Sequence, residues 1–247
     1  MTPALSDIDL ARAIAAEAGR LLLELRAGQA PGRELGAAGD RAAQALIAER
    51  LAAARPDDFV LSEEAADDPA RCAASRLWVV DPLDGTAEYA QGRDDWAVHI
   101  GLSVDGAPVT GAVALPARGL VLGSDAPPPL APIRQPPRMV VSRSRPASEC
   151  PGIADAIGAE LVPMGSAGAK AMAVVLGEAE IYLHSGGQYV WDNCAPAAVA
   201  LAAGLHVSRL DGSALVYNCV DTYLPDLLIC RAELAETVLS LLAAHAG

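Results

Sequence analysis

The chain has 247 residues, 52% of them apolar but only 4% aromatic, so Ala, Leu and Val must fill its interior. That length suits one large domain or two closely packed lobes. A formal net charge of −13 disfavours nonspecific contact with nucleic acid or anionic lipid, and no run approaches the roughly 20 uncharged apolar residues that would cross a bilayer.

From Asp7 to Arg26, Ile8, Ala11, Ile14, Ala15, Ala18, Leu21, Leu22 and Leu25 follow helical spacing, with Ser6 as N-cap. The start of the chain lacks the basic and apolar stretches of a secretion signal, which predicts a cytoplasmic protein. Gly28, Pro31, Gly32, Gly36 and Gly39 break the pattern, so a second helix is expected to open at Asp40 and end before Pro56. Asp40 then serves as an N-cap, a role compatible with a bond to a metal-held water. Phe59-Val60-Leu61 is a short strand candidate that delivers Ser62-Glu63-Glu64 to its end. Paired glutamates there suit either a solvated loop or a site.

Leu77-Trp78-Val79-Val80 reads as a buried strand, followed by Asp81-Pro82-Leu83-Asp84-Gly85-Thr86. Pro82 fixes φ and Gly85 opens backbone geometry closed to other residues, so this segment is expected to be a rigid turn. Two carboxylates aimed at one point repel unless a cation sits between them. Spacing alone leaves two readings open, a divalent-metal site and an acidic surface turn; Glu88, Asp94 and Asp95 add to the local charge. Parallel delivery by neighbouring strands would bring Glu63-Glu64 and Asp81/Asp84 together.

Trp96 to Val104 alternates cleanly as a strand, with His99 on the face opposite the large apolar residues, in a structural hydrogen-bonded role. Asp105-Gly106 turns the chain into further strands at Val109 to Leu115 and Gly119 to Gly123. Residues 124–137 carry six prolines and mark a linker between an N-terminal lobe, 1–123, and a C-terminal lobe, 138–247. There, strands are expected at Met139 to Ser142, Glu160 to Pro163, Ile181 to Leu183, Ala214 to Tyr217 and Asp226 to Cys230. Helices are expected at Cys150 to Ile157, Ser166 to Leu176, Trp191 to Ala203 and Ala232 to Ala244, with Pro196 in the first turn of the third. Asp192 is a further N-cap candidate. Gly165-Ser166-Ala167-Gly168-Ala169-Lys170 places free amides and a lysine at a helix start, suited to an anion or to a capped helix with a solvated lysine. Five cysteines at irregular spacing fit reduced thiols, and four scattered histidines show no ligand spacing.

Taken in order, Asp40, Glu63-Glu64, the Asp81 to Thr86 turn, Gly165-Ser166 and Trp191-Asp192 before an Ala-rich helix resemble the inositol monophosphatase superfamily. Ala87-Glu88-Tyr89 after the turn, the Gly165 to Lys170 segment and Gly186-Gly187-Gln188-Tyr189-Val190-Trp191-Asp192 are similar to bacterial 3'-phosphoadenosine 5'-phosphate phosphatases of the CysQ type. The lysine and Thr-x-x-Asp that usually precede the first aspartate are absent, for Gly36-Ala37-Ala38-Gly39 stands there. The resemblance implies a layered αβαβα fold of mixed sheets between helix layers. It also implies a lithium-sensitive, Mg²⁺-dependent phosphomonoesterase of sulfur assimilation, with two or three ions per site. Glu64, Asp81 and the Leu83 carbonyl would hold one ion, and Asp81, Asp84 and Asp192 a second. Asp40, Thr86 and Glu64 would act catalytically, Gly85, Thr86, Ser166 and Lys170 would meet phosphate, and no phosphoenzyme is required. Discrimination among substrates is expected from the second lobe, at Lys170, Ser166, Tyr189 and Arg209. Rivals are the same apparatus acting on inositol phosphate or fructose 1,6-bisphosphate, or a phosphatase-like binding protein without turnover. The expected partner is a small phosphorylated molecule, a nucleotide bisphosphate first, with no polymer or membrane; a homodimer is compatible.

Overall fold

The computed structural model describes residues 5–245. Helix α1 (Asp7–Gly28) starts at Ser6, whose side chain accepts from the Asp9 amide, and its buried stripe of Leu10, Ile14, Ala18 and Leu22 faces the first sheet. Helix α2 (Arg33–Ala54) begins seven residues before Asp40, not at it. Gly36 and Gly39 lie inside this helix because it packs too closely for side chains there. A Cβ on Gly36 would stand 2.9 Å from Thr86 Cγ2, and one on Gly39 would stand 3.0 Å from both Leu83 Cδ2 and Tyr89 Cε1. Residues that look like breakers in isolation are thus contact points. Asp40 sits in the helix body, facing the turn that those glycines admit.

The first sheet has the order β1 (Phe59–Ser62), β2 (Arg76–Asp84), β3 (Ala97–Val104), β4 (Ala107–Leu115), β5 (Leu120–Gly123). Only β1 and β2 run parallel; the rest are antiparallel. A one-turn helix, α3 (Thr86–Ala90), follows β2 directly. The second sheet has the order β7-β6-β8-β10-β9, from β6 (Arg138–Ser142), β7 (Glu160–Met164), β8 (Ile181–Ser185), β9 (His206–Ser208) and β10 (Asp226–Cys230). It is also mixed, with β7, β6 and β8 parallel and β10 antiparallel to both neighbours. The residues from Ala214 to Tyr217 form no strand; the edge position is taken instead by β9.

Three apolar cores separate five layers. Helices α1 and α2 cover the outer face of the first sheet through Trp78, Val80, Trp96, Val98 and Ile100. Helices α5 (Ala167–Val175) and α6 (Val190–Ala202) fill the space between the sheets, and α4 (Cys150–Ile157) and α7 (Ala232–His245) cover the far face. The middle layer is built from Ala and Gly because it is tight. A Cβ on Gly101 would stand 3.0 Å from the Ala195 amide nitrogen, and one on Gly111 would overlap the Ala195 carbonyl. Pro196 lies in the second turn of α6, not the first.

Residues 124–137 cross from one sheet to the other without helix or strand. Their register is fixed by Glu180, 2% exposed, which accepts from the amides of Arg134 and Arg138 at 3.2 and 2.7 Å. Prolines suit this path because each removes an amide that would otherwise need a partner. The five cysteines are free thiols, and no described helix is long and apolar enough to cross a membrane.

Candidate active site

The parallel pairing of β1 with β2 sets Ser62 level with Val80, so Glu63 and Asp81 leave the sheet at the same edge. In a regular strand, Asp81 and Asp84 would point to opposite faces, since three residues separate them. The β2–β3 register shifts between them: Asp81 pairs with His99 and Asp84 with Ala97, three steps on one strand against two on the other. This one-residue bulge restores both carboxylates to the same side, and Pro82, with no amide to offer, falls inside it. Gly85 follows at φ 89°, where an L side chain would be strained.

Asp192 arrives from the middle layer. It is the third residue of α6 and not its N-cap; its Oδ2 accepts from the Tyr189 amide at 2.7 Å. Asp81, Asp84 and Asp192 each present an oxygen within 4.8 Å of the others. All donors are carboxylate oxygens, and like charges this close favour protonation or a cation. Asp81 is raised well above the usual range, first by burial and then by the charges of Asp84, Glu63 and Asp192. Burial and Asp84 push Asp192 up to about 6. Such a set fits a hard divalent ion, which would replace these repulsions with attraction.

Asp84 differs because it has donors of its own. Its Oδ2 accepts from Ser166 Oγ at 2.5 Å and the Gly168 amide at 2.6 Å, and its Oδ1 accepts from the Ala167 amide at 3.1 Å. Burial opposes the charge, but the His99 ring beside it and the bonds from Ser166 and Gly168 outweigh it and bring Asp84 down to about 2. The anion expected at the start of α5 is therefore this aspartate. Lys170 is not solvated either: it is 4% exposed, its Nζ donates to the carbonyls of Gly165 and Ser166, and burial lowers it to about 8.

Thr86 Oγ1 lies 3.1 Å from both Asp40 Oδ1 and the Leu83 carbonyl. Asp40 is pushed up to about 6, by burial and then by Glu64. The expected metal ligand Glu64 thus acts on Asp40, whereas Glu63 lines the cleft beside Asp81, Asp84 and Asp192. Glu63 is exposed as a residue and lines the cleft. Loss of water there, then the charges of Asp192 and Asp84, push it up to about 7. Glu88, Asp94 and Asp95 do not join the cluster, for they pair with Arg143, Arg26 and the Arg93–Arg143 pair.

The cleft encloses about 430 Å³. Its outer wall is the loop after β6, Arg143-Ser144-Arg145, together with His184, Gly187 and Gln188. Of this wall, the sequence had singled out Gly187 and Gln188 within the Gly186 to Asp192 motif; the loop Arg143-Ser144-Arg145 had not been singled out, and its two arginines were its one visible signal. Arg145 has no carboxylate partner among the described residues, whereas Arg143 is held by Glu88 and Asp95. Of the expected discriminating residues, Arg209 is away from the cleft, bonded to Asp226 at 2.6 Å. Tyr189 is half exposed and stacked on Trp191 at 5.0 Å.

The sequence pattern of the inositol monophosphatase family matches residues 7–125 and 138–246. A 3'-phosphoadenosine 5'-phosphate phosphatase from Mycobacterium tuberculosis (strain CDC 1551 / Oshkosh) is 52% identical over 241 residues, covering 92% of this chain and 90% of that protein. A 3'(2'),5'-bisphosphate nucleotidase CysQ from Salmonella typhimurium is 34% identical over 209 residues, covering 76% and 81%. Among solved structures, CysQ from Bacteroides thetaiotaomicron superposes with a TM-score of 0.75 at 26% identity, over 91% of this chain and 96% of that one. The suppressor protein suhB from Bartonella henselae shares the fold at a TM-score of 0.79 and 20% identity, over 98% and 100%. With its layered fold and its family pattern running through both sheets, the chain belongs to the inositol monophosphatase family.

Proposed function

We propose that the chain is a phosphomonoesterase that removes the 3'-phosphate of 3'-phosphoadenosine 5'-phosphate, releasing AMP and phosphate, in the cytoplasm and in sulfur assimilation. The observation that carries this reading is the convergence of Asp81, Asp84 and Asp192 beside the Asp40–Thr86 pair. A relative about one-half identical is named as a 3'-phosphoadenosine 5'-phosphate phosphatase, and one about one-third identical as a 3'(2'),5'-bisphosphate nucleotidase.

Glu63, Asp81, the Leu83 carbonyl, Asp84 and Asp192 would hold Mg²⁺, two or three ions per site, with Glu63 in the place first expected of Glu64. Bound there, such ions supply positive charge for the phosphoryl oxygens and the leaving oxygen. The side chains do the rest. The single hydroxyl proton of Thr86 can go to Asp40 or to the Leu83 carbonyl; in the proposed reaction it goes to Asp40, and the Thr86 lone pairs are left to accept from an attacking water. Asp40, at about 6, is ionised near neutral pH yet basic enough to accept the water's proton through Thr86. Glu64 contributes by keeping Asp40 basic. The amides of Gly85 and Thr86 are assigned to phosphate oxygens. Ser166 and Lys170 fix the Asp84 wall, and Arg145, which has no carboxylate partner among the described residues, lines the cleft. A homodimer is compatible with this arrangement.

A substrate panel tests the reading. With Mg²⁺, phosphate release should be fastest from 3'-phosphoadenosine 5'-phosphate, slower from inositol 1-phosphate and fructose 1,6-bisphosphate, and suppressed by lithium. Preference for inositol 1-phosphate would overturn the substrate assignment, and no release from any of the three would overturn the enzyme reading.

A further inference from the structure

His99 is fully buried on β3, which pairs with the bulged strand β2 on one side and with β4 on the other. Its Nδ1 faces the Trp191 carbonyl at 3.1 Å, which only accepts, so Nδ1 carries a proton there. Its Nε2 lies 3.2 Å from Asp84 Oδ2. One ring thus spans from a carboxylate of the first sheet to the backbone beside Asp192 in the middle layer. The space for that ring is made by Gly168: a Cβ built there would overlap His99 Nε2. Gly168 also donates its amide to the same Asp84 oxygen. With Ser166, Gly168 and His99 all gathered on Oδ2, Oδ1 is left with the single Ala167 amide and a lone pair to offer.

We propose that His99 is a positioning residue, seated in the space left by Gly168, which fixes the orientation of Asp84 relative to Asp192 and thereby the separation of two metal ligands brought from different layers. The inference rests on the metal reading above but not on the identity of the substrate. Partners that orient a ligand carboxylate commonly change metal affinity by roughly 10–100-fold when removed. His99→Leu keeps the volume and loses both contacts. His99→Gln places an amide where Nε2 stood, and His99→Asn places one where Nδ1 stood.

The test is calorimetric titration of the metal-free full chain with Mn²⁺, alongside circular dichroism to check the fold. His99→Leu should lose about tenfold or more in affinity at one site, with His99→Gln recovering most of it and His99→Asn little. Unchanged binding in His99→Leu overturns the inference, as does a loss in His99→Gln equal to that in His99→Leu, which would assign the effect to packing. The partner site gives a second reading that does not depend on His99→Leu folding. Gly168→Ala should weaken Mn²⁺ binding about tenfold in the parent and hardly at all in a His99→Ala background, where the methyl group has room. Equal losses in both backgrounds would overturn the pairing. A parent protein that binds no Mn²⁺ would overturn the metal reading itself, an outcome distinct from either of these.

Discussion

Replacing Asp192 with Asn should make the metal-free protein more stable while removing its response to metal. The Asn Oδ1 can still accept from the Tyr189 amide, so the start of α6 keeps its hydrogen bond. What disappears is a charge that the folded state disfavours: Asp192 is pushed from 3.8 to about 6. At about 1.4 kcal/mol per unit, that amounts to roughly 3 kcal/mol at neutral pH. Protons shared among Asp81, Glu63 and Asp192 reduce it to about 2 kcal/mol, or about 4–8 °C for a chain of this length. The sign follows from the folded value lying above the unfolded one. The folded state holds the proton more tightly, so stability from this group is present at low pH and lost as pH rises from about 4 through about 6. The gain from Asn should therefore be small near pH 4 and full by pH 7.5. Thermal unfolding in EDTA, followed by circular dichroism at several pH values, measures it. With Mg²⁺ restored, the parent should gain stability, the variant much less, and turnover by the variant should fall about 100-fold or more. A variant less stable than the parent in EDTA at pH 7.5, or a gain that does not change with pH, would refute the reasoning.

Asp40→Asn and Thr86→Ala should each lower kcat by about 100-fold or more with little change in KM; a large rise in KM at unchanged kcat would count against their role at the water. Gly36→Ala forces a methyl group against Thr86 Cγ2 and should cost roughly 1–3 kcal/mol in denaturant unfolding, with kcat falling as Thr86 is displaced. Glu180→Ala leaves the amides of Arg134 and Arg138 without their acceptor; a loss of about 2–4 kcal/mol in unfolding free energy is expected, with kcat in Mg²⁺ unchanged at temperatures well below the transition.

The acidic segment was legible because its strand is short, apolar and bounded by turn formers, but β2 runs on through it to Asp84 with a bulge where a turn after Val80 was expected; the parallel delivery of Glu63 beside Asp81 followed from two such strands in succession. The layered architecture likewise followed from the order of helical and alternating segments together with the family resemblance. What escaped depends on contacts between distant segments. Gly36 and Gly39 are indistinguishable from helix breakers until α3 is seen packed against them, so the helix start was misplaced and Asp40 with it. The choice between Glu63 and Glu64 depends on the turn that follows the four-residue β1, whose conformation the residue pattern does not fix. His99 was correctly placed on the less apolar face of its strand, but its partners, Asp84 and the Trp191 carbonyl, lie 15 and 92 residues away in sequence. Lys170 reads as an anion-binding or a solvated lysine at a helix start, and only the fold shows its stem buried and its charge on two carbonyls.

The docking of Asp84 onto the first amides of α5 has a consequence for how the protein is assembled. The first sheet and its bulge are complete by residue 123, but the helix that holds the Asp84 carboxylate begins more than forty residues later, beyond the proline-rich crossing. An N-terminal fragment would carry Asp81 and Asp84 and lack both the groups that orient Asp84 and the Asp192 that completes the set. Such a fragment is therefore expected to bind Mn²⁺ more weakly than the full chain.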